Sequence, residues 1–420
     1  MRQPMVQRLR RRMLGWLGIL TAVPCPGWAQ AIVPMSRPKS PPVWTGFGLN
    51  GGVTQARYEI TRAFLQQAYN RDMSSTEAFA FLREPLRQTL ARQHAGRVQF
   101  KDAVAFGEDL LLGFAHDYET TVGARVERDG QNANTLFVFM SGVGLILSFA
   151  TDTGWRVVSS FPFMLRMERP GGDLQNVKAK AVAVMDQAYA AYAQAFSHFL
   201  GRFNKWDQGF SSNYFARLTA SSIHPDAAIK LVNLKIRDVL NGDLLGFSAS
   251  SALCDHLNIP ILPYQENDAL AKRYAVKFSD DLAAQQQIEI PDADLRFEIV
   301  LRDVDKQTTD SSQRGVTIVR RSVVIRLVVF DEYSSLPDKR LLNVLAMSTG
   351  EDRIPLQSKE DDTPERDLVF FDRLLSRTLS NLLRGMVTRN ASTLAAAEVK
   401  LSAIEAQLPR LMALCAKTRG

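Results

Sequence analysis

The sequence predicts an α/β (α+β) protein built from two similar halves. Each half is a β-meander covered by a helix, with antiparallel or mixed sheets, helices on one face and a long C-terminal helix. Three observations predict it. Residues 295–386 read strand, strand, strand, helix. Residues 118–203 read in the same order. Residues 391–415 carry apolar residues at heptad spacing.

In the later half, Leu295, Phe297, Ile299 and Leu301 alternate with Arg296, Glu298 and Arg302, the period-two mark of a strand with one buried face. The polar run from Asp305 to Gly315 predicts a turn or long hairpin loop. Val316 to Asp331 predicts a second strand. Val323, Ile325, Leu327 and Val329 share one face, and Arg320, Ser322 and Arg326 share the other. Leu341 to Met347 is a third strand. A helix then starts at Thr363-Pro364, where threonine suits the N-cap and proline the first helical position. Leu368, Phe371, Leu375, Leu379, Leu382 and Met386 recur along it at helical spacing.

In the earlier half, Thr135 to Met167 predicts two apolar strands joined by a tight turn at Asp152-Thr153-Gly154. A helix follows from Val177 to Phe203, with Val184, Ala188, Tyr192 and Phe199 on one face. Both faces of 136–146 are apolar, which predicts a buried central strand rather than a lipid-facing one.

Between and around these halves, helices are expected at 53–70 and at Ser75 to Gln93, the second kinked at Pro85. Residues 213–223 predict a strand and Ala227 to Leu240 a helix ended by Gly242. Ser248 to Leu257 and Tyr264 to Leu282 predict further helices. The expected organisation is a leader at 1–31, a Pro-rich segment at 32–42, α/β domains at 43–240 and 241–390, and a helix at 391–420. On that last helix Leu394, Leu401 and Leu408 form one seam, with Ala397, Ile404 and Leu411 in the other. It either packs back on its own domain or makes a coiled-coil contact with a partner. In the second case Leu394, Leu401, Ile404, Leu408 and Leu411 are the candidate contact residues.

The formal charge of +7 is concentrated at the start of the chain. Arg2, Arg8, Arg10, Arg11 and Arg12 lie within 31 residues that contain no Asp or Glu; without these five, 46 of the 51 basic residues remain against 44 acidic ones. That near balance argues against a nucleic-acid-binding stripe. Arg8–Arg12, the apolar run Met13–Val23 and Ala29-Gln30-Ala31 read as a secretory signal peptide cleaved after Ala31. The run is too short to span a bilayer, which takes about 20 residues. The expected location is therefore the periplasm. Cys25 lacks a lipobox, with Pro24 before it. Cys254 and Cys415 then remain, as buried thiols or as one disulfide.

Chemistry is sparse. Gly46-Phe47-Gly48-Leu49-Asn50-Gly51 matches G-x-G-x-x-G, but is expected to be a glycine turn into a helix, with no cofactor. His94, His116, His198, His224 and His256 form no close metal pair. His116-Asp117-Tyr118-Glu119 is a polar cluster in an apolar region, and Cys254-Asp255-His256 a second compact one. Glu108-Asp109 and Asp361-Asp362 are expected at helix starts or in solvent. No catalytic, cofactor or metal residues are assigned.

The run TGFGLNGGVTQARYEITRAFLQQAYN, with Gly46, Gly48, Ala56, Ala63 and Ala68, resembles the opening of FlgT-N/LPP20-type periplasmic domains. The strand–helix–meander–helix order of the later half is similar to that of CsgG and TolB N-terminal domains. The resemblance implies a role in Gram-negative envelope assemblies and carries over no site residues. The expected function is an exported binding or scaffold protein. Its expected partners are other envelope proteins or a second copy, with peripheral outer-membrane association and no nucleic acid. The alternatives are an envelope hydrolase with a noncontiguous site around His116 or His256, or an outer-membrane-associated secretion component.

Overall fold

A computed structural model describes residues 41–50, 58–70, 78–94, 96–100, 110–128, 131–150, 154–170, 181–202, 214–264, 273–277, 286–311 and 315–418. The expected leader, the Pro-rich segment, Gly51, Asp152-Thr153 and Glu108-Asp109 lie outside these residues. The fold is mixed α/β, as the two meanders predict.

The first meander is β2 (Leu111–Arg128), β3 (Gln131–Ala150) and β4 (Gly154–Pro170), antiparallel throughout. It is preceded by β1 (Val43–Asn50), α1 (Glu59–Tyr69) and α2 (Ala78–His94), and followed by α3 (Ala181–Arg202). β3 is central, and Leu136 to Met140 are all buried, so both of its faces are covered. β5 (Ala216–Ile223), α4 (Pro225–Asn233) and α5 (Gly242–Leu257) come next. Two short strands, β6 (Arg273–Lys277) and β7 (Gln286–Glu289), lead to the second meander. That meander is β8 (Leu295–Ser311), β9 (Val316–Asp331) and β10 (Arg340–Pro355), followed by α6 (Pro364–Thr388). The chain ends with α7 (Ala391–Ala395), a 3-10 turn at Leu401–Ala403 and α8 (Leu408–Lys417).

The meanders are completed differently. β1, β2, β3, β4, β7 and β6 close a barrel in that order, with β1 parallel to β2 and antiparallel to β6. β10, β9, β8 and β5 form an open sheet in which β5 runs parallel to β8. The expected boundary at 240/241 therefore does not separate the two sheets. β5 leaves the first half to join the second sheet, and β6 and β7 return to the barrel. An extended segment sews the two together: Ile261 N donates to Ser160 O of β4, and Leu262 N donates to Ala216 O of β5.

Four local expectations change. Residues 273–277 lie within the helix expected at Tyr264 to Leu282, but they pair as β6 with β7 and β1, because tertiary pairing outweighs local propensity. The loop expected from Asp305 is strand as far as Ser311, paired with Val316; its side chains are polar, but its backbone still ladders with β9. α4 stops at Asn233, where Lys235 takes a left-handed φ of 60°. Gly242 begins α5 instead of ending its predecessor, because the Asn241 side chain caps the new helix by accepting from Leu244 N.

Thr363 N-caps α6, accepting from Arg366 N, with Pro364 in the first turn. Leu368, Phe371, Leu375, Leu379, Leu382 and Met386 are all buried. One feature of α6 was not expected: besides packing on β9 and β10, it ties to the barrel. Asp372 accepts from Arg166 of β4 at 2.7 Å, and Arg373 pairs with Glu168 of β4 at 2.6 Å.

Candidate functional site

Among the described residues, a buried polar constellation stands in each half. The first lies where β2 meets α1 and α3. In a regular strand, residues three apart point to opposite faces. A bulge between His116 and Tyr118 makes Asp117 an extra residue, so His116 and Glu119 share the helix-facing side. Their side chains meet at 3.2 Å between Nε2 and Oε2. The N-cap residue of α1, Tyr58, makes no side-chain cap bond. Glu119 takes that role from β2, accepting from Thr61 N at 3.0 Å and from Thr61 Oγ1 at 2.9 Å. A carboxylate placed there also meets the positive end of the helix dipole. On the other side of the imidazole, Tyr192 of α3 lies 2.8 Å from His116 Nδ1. With its proton on Nε2, His116 donates to Glu119 and accepts from the Tyr192 hydroxyl. The Tyr58 hydroxyl donates to Asn50 O at 2.6 Å, which completes the tie from α1 to the strands.

This order, hydroxyl to imidazole to carboxylate, is that of an acid–base relay. Its surroundings oppose catalysis. His116, Tyr58, Tyr192 and Thr61 are fully buried, and Glu119 nearly so. Burial, then the charge of Glu119, pushes the Tyr192 hydroxyl well above its ordinary value of 10.0, so it stays protonated. Glu119 already accepts three bonds. The chain of groups joins two helices to a strand.

The second constellation joins the open sheet to α6. Arg321 of β9 is fully buried, in phase with Val319 and Val323 on the inner face. Its guanidinium donates to Asp367 at 2.7 Å and lies within 3.2 Å of Asp362 and 3.4 Å of Asp352. Arg366, also fully buried, holds Asp352 through two parallel bonds of 2.7 and 2.9 Å. Lys306 of β8 bridges Asp362 and Asp367 at 2.7 and 2.8 Å. The network reaches the barrel at Arg125 of β2, whose carbonyl accepts from Arg366 at 3.0 Å and whose guanidinium meets Asp361 at 3.3 Å. Four cations thus face four carboxylates. Asp361 and Asp362 stand just before the Thr363 N-cap of α6, at a helix start as expected, but they are buried and half-buried partners in this network and not solvated. The period-two phase of Arg321 was the available signal; the partner for it comes from β10 and α6.

The remaining candidates are dispersed. Gly46 and Gly48 lie within β1 rather than in a turn. Gly46 sits at a bulge with φ of 143°, a conformation that favours glycine. His256 Nε2 is 2.9 Å from Ser380 Oγ, between α5 and α6. His224 caps α4 through Asp226 N. The side chains of His94 and His198 are outside the described residues. Cys254 and Cys415 are both buried and are not joined in a disulfide. Among the described residues, no group of three His, Cys, Asp or Glu is placed to hold a metal ion, and no helix is long and apolar enough to cross a membrane.

The proposed partner-contact residues are corrected by burial. Leu394, Ile404, Leu408 and Leu411 lie inside the chain's own core, and Leu401 packs against it half-buried. Heptad spacing forms a stripe only on a continuous helix, and this segment is three short pieces. Glu398 has a φ of 55°, and Ala397 O accepts from Met347 N of β10, so the chain turns back onto the sheet edge. A comparison with protein-family models gives no match, and no curated protein matches the sequence.

Proposed function

We propose that this chain is an exported, periplasmic binding or scaffold protein of the cell envelope, and that its two meander–helix units are related by internal duplication. The observation that carries this reading is the disposition of polar groups. The residues best suited to chemistry are joined to one another inside the fold, where their bonds connect elements. Apolar side chains, by contrast, stand on the surface. Leu345 on β10 is 57% exposed, Tyr333 in the β9–β10 turn is 74% exposed, and Ile229 and Val232 on α4 are 62% and 60% exposed. Of these, Ile229 and Val232 stand one turn apart on α4 and offer a shared apolar face for contact. Export is supported by the arginine-rich start, the short apolar run and Ala29-Gln30-Ala31. The resemblance of 45–70 to envelope-assembly domains points to the same compartment.

The test is fractionation of the native host followed by crosslinking and affinity recovery of the full-length chain. The expected result is a processed chain in the periplasmic fraction that recovers a defined envelope complex. A cytoplasmic chain that keeps its leader, or a monomer that turns over a substrate, would overturn the reading.

A further inference from the structure

β4 changes neighbours part-way along its edge. β7 meets it at Arg156, and the segment at 260–262 meets it at Ser160, where Ile261 N donates to Ser160 O. Between these points a bulge leaves Val158 without a partner in the β3–β4 register. A small cavity lies at this hand-over. Its walls include Val158, Ser159 and Ser160 of β4, Ala216 of β5, Leu262 of the linking segment and Thr418 just past α8. It therefore touches the barrel, the open sheet and the end of α8.

The space open to the centre of a water molecule is about 10 Å³. That is room for one water and for nothing larger. Ser159 is 3% exposed, and its hydroxyl has no hydrogen-bond partner among the described residues. A hydroxyl buried in that condition gives up its hydration without replacing it. Two neighbouring hydroxyls of the walls have already given their protons away. Ser160 Oγ donates to Ile261 O at 2.6 Å, and Thr418 Oγ1 donates to Cys415 O at 2.8 Å. Each keeps lone pairs that accept. The occupant that suits these three groups is one heavy atom in size, donates two hydrogen bonds and accepts one. Among the described residues no carboxylate lines the cavity to balance a cation, and the spare lone pairs disfavour an anion. Water has the required form, and cavities that stay dry are apolar, which this one is not.

We propose that the cavity is a binding site for one ordered water molecule, held by the hydroxyls of Ser159, Ser160 and Thr418. The water adds a polar link at the seam where Ile261 and Leu262 join the two sheets. The inference is independent of the scaffold reading, and its test leaves that reading untouched.

A high-resolution crystal structure of the full-length chain is the first test. It is expected to show one isolated density peak within hydrogen-bond distance of Ser159 Oγ and of at least one of Ser160 Oγ and Thr418 Oγ1. Oxygen-17 relaxation dispersion, which counts long-lived waters in solution, is the second. Ser159→Val puts a methyl group where the hydroxyl stood and fills the space, so the count is expected to fall by one. Ser159→Ala keeps the room but removes a partner, so the residence time of that water is expected to shorten at least about tenfold. Circular dichroism checks that each variant is folded; if the added bulk of Ser159→Val unfolds the chain, Ser159→Ala carries the solution test. A cavity without density, a Ser159 hydroxyl turned onto a protein carbonyl, density for a larger group, or a folded variant with an unchanged signal each overturns the proposal.

Discussion

β2, β3 and β4 run as an antiparallel meander into α3, and β8, β9 and β10 run as an antiparallel meander into α6. From there the two regions diverge. The first is closed into a barrel by β1, β6 and β7, and its helix-facing side holds a hydrogen-bonded chain with one carboxylate. The second stays open, and its inner face holds an ion network of balanced charge. The contrast teaches that a shared order of elements does not dictate a shared polar interior. The polar groups follow the neighbours that tertiary structure supplies: two helices over the barrel, and one helix N-terminus over the sheet.

The comparison is broken most severely at the joint between the regions. Arg366 touches both, holding Asp352 in the sheet and the Arg125 carbonyl in the barrel. Arg366→Ala leaves Asp352 and its neighbours with buried, uncompensated negative charge. It is expected to cost about 3–5 kcal/mol, read by urea unfolding. If the two regions were independent, fluorescence and circular dichroism would report separate transitions in this variant; one shared transition is expected.

A smaller change confines the damage to the barrel. A Cβ at Gly142 would stand 2.3 Å from Cζ of Phe114, whose ring is held by Phe47, Phe163 and Tyr192. Gly142→Ala is expected to cost about 1–3 kcal/mol through overpacking. Hydrogen exchange should rise first in β2, β3 and α3. Equal acceleration in β8 to β10 would show that the barrel is not a distinguishable region.

The smallest effect sharpens the contrast between the two polar interiors. The folded state holds the Tyr192 proton more tightly than the unfolded chain, which releases it near 10.0. Stability is therefore undiminished by this group below that pH and falls as pH rises above it. Tyr192→Phe should remove that alkaline component. Near neutrality it should cost about 1 kcal/mol, because His116 Nδ1 loses its donor. A melting temperature followed from pH 8 to 11 in both chains checks this; identical alkaline slopes would count against it.

Much of the scaffold was legible in the residues. Alternation at Leu295–Leu301 and Val323–Val329 identified inner faces correctly, and Thr363-Pro364 marked the start of α6. The polar interiors were less legible. The cluster at 116–119 was visible, but period two separates His116 from Glu119, and only a bulge brings them together. Arg321 sat in phase with buried valines while its carboxylates came from 31 to 46 residues away. The seam at 394–411 was real as a set of core residues and mistaken as a helix, because heptad spacing does not reveal where a backbone turns.

By itself, the sequence determined which segments are strands with a buried face, which helices follow the two meanders, and which side chains leave water. These depend on periodicity and on caps a few residues apart. Tertiary structure alone decided that one meander closes and the other stays open, that α6 serves both, and that the charges of 306, 321, 352, 362, 366 and 367 neutralise one another. Those outcomes depend on contacts between residues far apart in the chain, and local spacing holds no record of which distant segment will arrive.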